Sequence, residues 1–216
     1  LGRIYSERKD WQRLLEIYEQ EAKVVKDKAK LITLYLRMGE LLEGELNDFE
    51  RASSAYKEAL RLSPYLRAGL TSLRRVYENL GIWDGFISVS EKLVKVTKQE
   101  KERANISLEM AQVLDEKMQD TQRAIEKYEE AVKLNRELYP AWERLGDIYF
   151  REGRFGESSA VYEQMLELMA QAREGDILSP MIKLAQARHR LGEIEKAVKI
   201  YQRAIEMDDT YLPAWE

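Results

Sequence analysis

Apolar residues recur at intervals of three and four along this chain, and no stretch alternates apolar with polar residues as a half-buried strand would. The pattern predicts helices only. It is sharpest at Trp142, Leu145 and Tyr149, which stand at i, i+3 and i+7 and share one helical face. Gly146, inside that helix, removes a side chain where a second helix has to come close. Gly153 then ends the helix, and Phe155 and Tyr162 begin and fill the buried stripe of the next one.

In this phase the pattern predicts five full helix pairs, beginning near Ile32, Arg67, Ala104, Tyr139 and Leu178. The first has Met38-Gly39 at the Leu-Gly position, then Phe49, Ala52, Tyr56, Ala59 and Pro64. The third has Met110-Ala111, then Ala124, Tyr128 and Ala131, and the fifth Leu184-Ala185, Gly192, Ala197, Tyr201 and Ala204. Small Ala and large Tyr stand one turn apart in each second helix, which lets facing helices interdigitate. Leu1-Gly2-Arg3-Ile4-Tyr5 is the second half of the motif, and Leu212-Pro213-Ala214-Trp215 repeats Tyr139-Pro140-Ala141-Trp142. The expected organisation is one array: a partial repeat over 1–31, full repeats over 32–66, 67–103, 104–138, 139–177 and 178–211, and the start of another at 212–216. Such an array reads as a piece of a longer one.

A period of 72 residues lies over the shorter one, from Trp11 to Trp83 and from Leu1 to Leu73 to Leu145. Pairs containing Trp11, Trp83 and Phe155 carry an aromatic early in the second helix and lack the Ala that follows elsewhere. They are also longer, with the extra residues near 23–30, 94–103 and 166–176. One pair departs from the pattern. Around residues 67–103, Arg74 stands where Gly or Ala is expected, Phe86 takes the Ala position, and Ser90 takes the aromatic one. Large and small have changed places on one face with total volume roughly kept. Arg74 must then snorkel outward or push the two helices apart.

The run W-x-x-L-G-x-x-Y at residues 142–149, followed by A-x-x-x-Y second helices and repeated along essentially the whole chain, resembles the tetratricopeptide repeat family. That resemblance implies an all-α fold, a right-handed superhelical solenoid of antiparallel helix pairs whose first helices line a concave groove. It implies a scaffold that binds an extended peptide or a partner's helix, with no catalytic residue, metal or cofactor. On the family's register the groove candidates are Glu40, Glu43, Arg75, Glu78, Arg144, Asp147, Phe150, Arg151, Ile182, Lys183, Gln186, His189 and Arg190. One subset of the family grips C-terminal carboxylates with Lys and Asn at set positions. The matching positions hold Leu36 and Glu40, Thr71 and Arg75, Leu108 and Gln112, Glu143 and Asp147, Ile182 and Gln186, so that clamp is not expected.

Composition narrows the chemistry. With 11 Gly and 4 Pro in 216 residues, long loops are scarce. A net charge of −4 disfavours general binding to nucleic acid or to an anionic membrane. Cysteine is absent and His189 is the single histidine, so neither a zinc site of the usual ligands nor a cysteine nucleophile is available. No G-x-S-x-G, G-x-G-x-x-G or G-x-x-x-x-G-K-[ST] run occurs, and no stretch of 18 apolar residues. Lys92, Lys95, Lys98 and Lys101 form either a basic docking patch or a solvated helix face.

Three function classes follow. A protein-binding scaffold comes first. A regulatory arm of a larger enzyme, whose catalytic domain lies outside this sequence, is the alternative. An RNA-binding pentatricopeptide array is disfavoured by the acidic balance and by the Trp and Leu-Gly signature. Apolar faces at the ends of a truncated array would also lend themselves to end-to-end self-association. The projected groove positions suggest a polarity. Up to residue 116, Arg3, Glu7, Arg37, Glu40, Glu43, Arg75, Glu78, Glu109, Asp115 and Glu116 are mostly acidic. From residue 140 onward, Glu143, Arg144, Asp147, Arg151, Lys183 and Arg190 are mostly basic, and His189 adds to them below neutral pH. Phe150 and Ile182 lie among the latter as apolar anchors. The expected partner is extended, with its acidic segment over Arg151 and Arg190.

Overall fold

The computed structural model describes residues 2–172 and 176–208, the side chains of residues 2 and 3 aside. Every regular element among them is an α-helix, and the chain divides into two compact units, Leu1–Lys98 and Gln99–Glu216. The first unit contains α1 (Gly2–Glu7), α2 (Trp11–Val24), α3 (Lys28–Gly44), α4 (Phe49–Leu62), α5 (Arg67–Leu80) and α6 (Trp83–Val96). The second contains α7 (Glu100–Glu116), α8 (Thr121–Leu134), α9 (Tyr139–Arg151), α10 (Phe155–Ala172), α11 (Leu178–Arg190) and α12 (Ile194–Met207). Within each unit every helix packs on the next in chain order, and the first helices α3 and α5 also touch. The further repeat expected from 212 lies outside the described residues.

Each second helix is entered the same way, by one residue with positive φ and then one residue before the first helical position. Gly81, Gly153 and Gly192 take that conformation before α6, α10 and α12, with φ between 67° and 80°. Lys9, Asn47 and Gln119 take it before α2, α4 and α8, with φ between 51° and 55°. A side chain there is disfavoured because Cβ crowds the carbonyl oxygen. In these three turns the next residue is Asp10, Asp48 or Asp120, whose carboxylate accepts from the backbone N–H of Arg13, Arg51 or Arg123 and caps the helix.

The extra length read from the 72-residue period becomes additional helix. α3 and α7 each run 17 residues and begin about one turn before the expected Ile32 and Ala104, and α10 runs 18. For α3 the cause is Asp27, which accepts from Ala29 N at 2.8 Å and Lys30 N at 3.1 Å.

The core repeats one contact. Tyr56 and Tyr162 are fully buried, and their rings lie against Gly39 and Gly146 of the preceding first helices. A Cβ at Gly39 would come within 2.4 Å of the Tyr56 ring, and one at Gly146 within 2.6 Å of the Tyr162 ring. Ser158, at the position Ala holds in α4, α8 and α12, is buried and donates to the Gly146 carbonyl at 2.9 Å. In the irregular pair Arg74 stands where the glycine would be. Its guanidinium lies 5.2 Å from the centroid of the buried Phe86 ring, and Ser90 is fully buried where a tyrosine would reach. Ile194, Val198 and Met207 of α12 are exposed, as is Ile4 of α1.

Candidate functional site

Three first helices, α3, α7 and α9, each carry a carboxylate tied to a cation one repeat further on. In the first unit Glu43 of α3 accepts two hydrogen bonds from the Arg75 guanidinium of α5, the Nη2 contact measuring 2.9 Å. It also accepts from the Tyr56 hydroxyl at 2.9 Å. The second unit repeats the device on α9: Asp147 accepts from Tyr162 at 2.6 Å and from Lys183 Nζ of α11 at 2.5 and 2.6 Å. Asp115 of α7 pairs with both terminal nitrogens of Arg151. Its tyrosine, Tyr128, is fully buried, and the hydroxyl has no hydrogen-bond partner among the described residues. Glu43 and Asp115 both lie thirteen residues before their tyrosines, and the aspartate is one methylene shorter. Glu116 adds an exposed pair with Arg144 at 3.4 Å.

Most of the candidate groove residues are thereby placed. Glu40 and Glu78 are exposed on α3 and α5, and Gln186, His189 and Arg190 are exposed on α11. None of these five forms a side-chain hydrogen bond or ion pair among the described residues. Phe150 is half-buried and edge-on to Phe155, with 5.1 Å between centroids. Ile182 corrects the expectation of an apolar anchor: it is 4% exposed, in a core cluster with Met181 and Ala204. The second helix α12 covers it.

The polarity expected from sequence also changes once the charges are taken by folded unit. The projected positions of the first unit carry three cations and four carboxylates, and those of the second carry four and five. The acidic Asp115 and Glu116 belong with α9, whose Arg151 and Arg144 they bind, and not with α3 and α5. Each row is close to neutral, with the pair Glu43–Arg75 in the first unit and the pairs Asp115–Arg151, Glu116–Arg144 and Asp147–Lys183 in the second. The side chain of Arg3 lies outside what the structure describes.

Burial raises the Tyr149 hydroxyl to about 12, helped by its 2.6 Å bond to Glu129. Burial likewise holds Tyr56, Tyr128 and Tyr162 well above the ordinary phenol range, with Glu43 and Asp147 adding to the effect at Tyr56 and Tyr162. These groups favour the folded state while neutral, so their contribution is complete below the ordinary phenol pKa and is lost as pH rises beyond it. Glu43 shifts the other way. Burial opposes its ionisation, but the bonds from Arg75 and Tyr56 and the charge of Arg75 outweigh that and lower its pKa. Its contribution is complete above the ordinary carboxylate range and is lost as pH falls through the lowered value. Stability measured by urea titration should therefore be flat near neutrality and decline above about pH 10. The phenolate absorbance that Tyr56→Phe, Tyr128→Phe and Tyr162→Phe each remove should appear together with unfolding. If the part removed by one of these substitutions rises before any loss of helix, the burial of that hydroxyl is contradicted.

No cluster of three or more His, Asp or Glu able to hold a metal occurs among the described residues, and no helix there is long and apolar enough to cross a membrane. Three family models described as tetratricopeptide repeat match residues 1–32, 32–65 and 137–210. Solved structures of the same fold include MamA, 22% identical, covering 82% of this chain and 92% of that one, with a TM-score of 0.58. YrrB, described as a repeat protein with an unusual peptide-binding site, is 19% identical over 84% of this chain and 89% of its own, with a TM-score of 0.57. BtubC from P. vanneervenii is 20% identical over 91% and 87%, with a TM-score of 0.52. No curated protein matches the chain by sequence.

Proposed function

Because the chain belongs to the tetratricopeptide repeat family, we propose that it is a protein-binding scaffold, each unit holding an extended segment or a helix of a partner along its first helices. The family's fold is typical of interaction scaffolds, and the described peptide site of YrrB supports a peptide ligand. The observation that carries the reading is the bracing of the first-helix row. Glu43, Asp115 and Asp147 are each locked to a cation of the following first helix, so little ordering remains to oppose binding. Between the braced groups Glu40, Glu78, Gln186, His189 and Arg190 stand exposed, available to main-chain and polar groups of a partner. Net charge is close to balanced in each row, so recognition rests on position more than on bulk attraction.

The test is a panel of labelled dodecapeptides of acidic, basic and neutral composition, followed by fluorescence anisotropy. Two variants accompany the wild type: Glu40→Ala with Glu78→Ala in the first unit, and Gln186→Ala with Arg190→Ala in the second. Peptides that bind should lose about tenfold in affinity with one of the two variants, as expected for removal of two polar contacts. Undiminished binding to both would defeat the groove reading. Tight, steeply salt-dependent binding of single-stranded RNA would favour the nucleic-acid alternative instead.

A further inference from the structure

On the second-helix side of the first unit, a cleft of about 380 Å³ opens between α4 and α6 onto α5. That volume lies within the range of ligand pockets, about 300–1,000 Å³. Its lining is apolar at Leu60, Leu70, Leu73, Tyr77 and Val89. Gly85 contributes backbone alone, and the Tyr77 ring fills the space a side chain would need, 2.7 Å from an ideal Cβ. The rim is different. Lys57 and Arg61 of α4 face Lys92 of α6, and no carboxylate lines the cleft. Arg61 is satisfied on its own helix by Glu58 at 2.9 Å, but neither Lys57 nor Lys92 is ion-paired among the described residues. Lys57 instead sits over the Tyr77 ring, 5.4 Å from its centroid.

The neighbouring cleft shows what the repeat does when it closes itself. Between α2 and α4 the lining includes Glu19, Glu58 and Arg51, and an ion pair of 3.0 Å from Arg51 to Glu19 spans it. Between α4 and α6 like charges face each other across an apolar floor. An anionic occupant would relieve that repulsion and pair with Lys57 and Lys92 together, while the floor would take an apolar side chain. Lys92 is also the first residue of the lysine series that the groove reading leaves unused.

We propose that this cleft is a second docking site, for a partner segment bearing carboxylates on either side of one large apolar side chain. It lies on the second helices and does not depend on the first-helix row. The probe is the acetylated hexapeptide Glu-Asp-Phe-Leu-Glu-Asp, with a counterpart in which lysine replaces each acid, titrated calorimetrically into the whole chain. The acidic peptide should bind at least about tenfold more tightly than the basic one. Lys57→Glu with Lys92→Glu should remove that preference. Ser88→Trp, which fills the exposed mouth without changing charge, should weaken the acidic peptide about as much. Gln186→Ala with Arg190→Ala should leave it within about twofold. Equal affinity for wild type and the double lysine variant would overturn the proposal. So would a loss in the lysine variant with none in Ser88→Trp, since that pattern is bulk attraction without a cleft.

Discussion

Tyr162→Ala is expected to destabilise the second unit by about 3–5 kcal/mol, the range for removing a fully packed aromatic ring. The ring is fully buried against Gly146, and no side chain there can move in to refill the space. The hydroxyl's one proton goes to Asp147 at 2.6 Å, with the Glu143 carbonyl a longer, shared acceptor at 3.2 Å. Asp147 keeps Lys183 when the tyrosine goes, so it is not left as an unpaired charge. Tyr162→Phe separates the two contributions. It should cost only about 1–2 kcal/mol, the net worth of the lost hydrogen bonds. Repeat arrays bury their faces only against neighbours, so the loss should spread beyond α9 and α10. Urea midpoints followed by far-UV circular dichroism measure both variants. A phenylalanine variant as unstable as the alanine one would place the stabilisation in the hydroxyl and not in the packing.

The second large effect is in the irregular pair. Phe86→Ala should cost about 3–5 kcal/mol, because Phe86 is 2% exposed and packs edge-on to Trp83, with 6.5 Å between centroids. The sequence suggests that adding Ser90→Tyr would restore part of the loss by returning the pair to the regular order. The structure changes that expectation. A tyrosine in the second helix stands opposite a small residue on the first, Gly39, Gly146 or, before the buried Tyr128, Ala111, and here Arg74 holds that place over Phe86. The double variant with Arg74 retained should therefore be no more stable than Phe86→Ala alone. The triple variant Arg74→Gly, Phe86→Ala, Ser90→Tyr should recover at least about half of the loss, because overpacking is removed with the arginine. Equal stabilities for the double and triple variants would show that Arg74 is not part of the exchange.

Two misreadings of the sequence have a common origin. Register places Ile182 on the open face, yet Met181 and Ile182 are both buried in a cluster with Ala204 of α12. Register identifies a face, but how far a neighbouring helix reaches over it depends on that neighbour's side chains. The charge polarity fails for a similar reason. Asp115 and Glu116 stand before Arg144 and Arg151 in the chain, and a division by residue number separates groups that the fold joins.

What the sequence determined by itself is whatever rests on short spacings. Period and small-residue placement set the helix pairs, the approach of Tyr56 to Gly39 and of Tyr162 to Gly146, and the glycine turns at Gly153 and Gly192. These depend on residues within one pair, where helical geometry fixes who meets whom. Tertiary structure alone decided the rest. Lys9 and Gln119 adopt a left-handed backbone that their side chains disfavour, at the same turn position that Asn47, a residue tolerant of it, and the three glycines occupy. The bonds from Glu43 to Arg75, Asp115 to Arg151 and Asp147 to Lys183 join residues 32 or 36 apart. Whether two charges so far apart in the chain meet is settled by the packing of one repeat on the next, because opposite charges have no spacing rule until a fold brings them within a few ångströms.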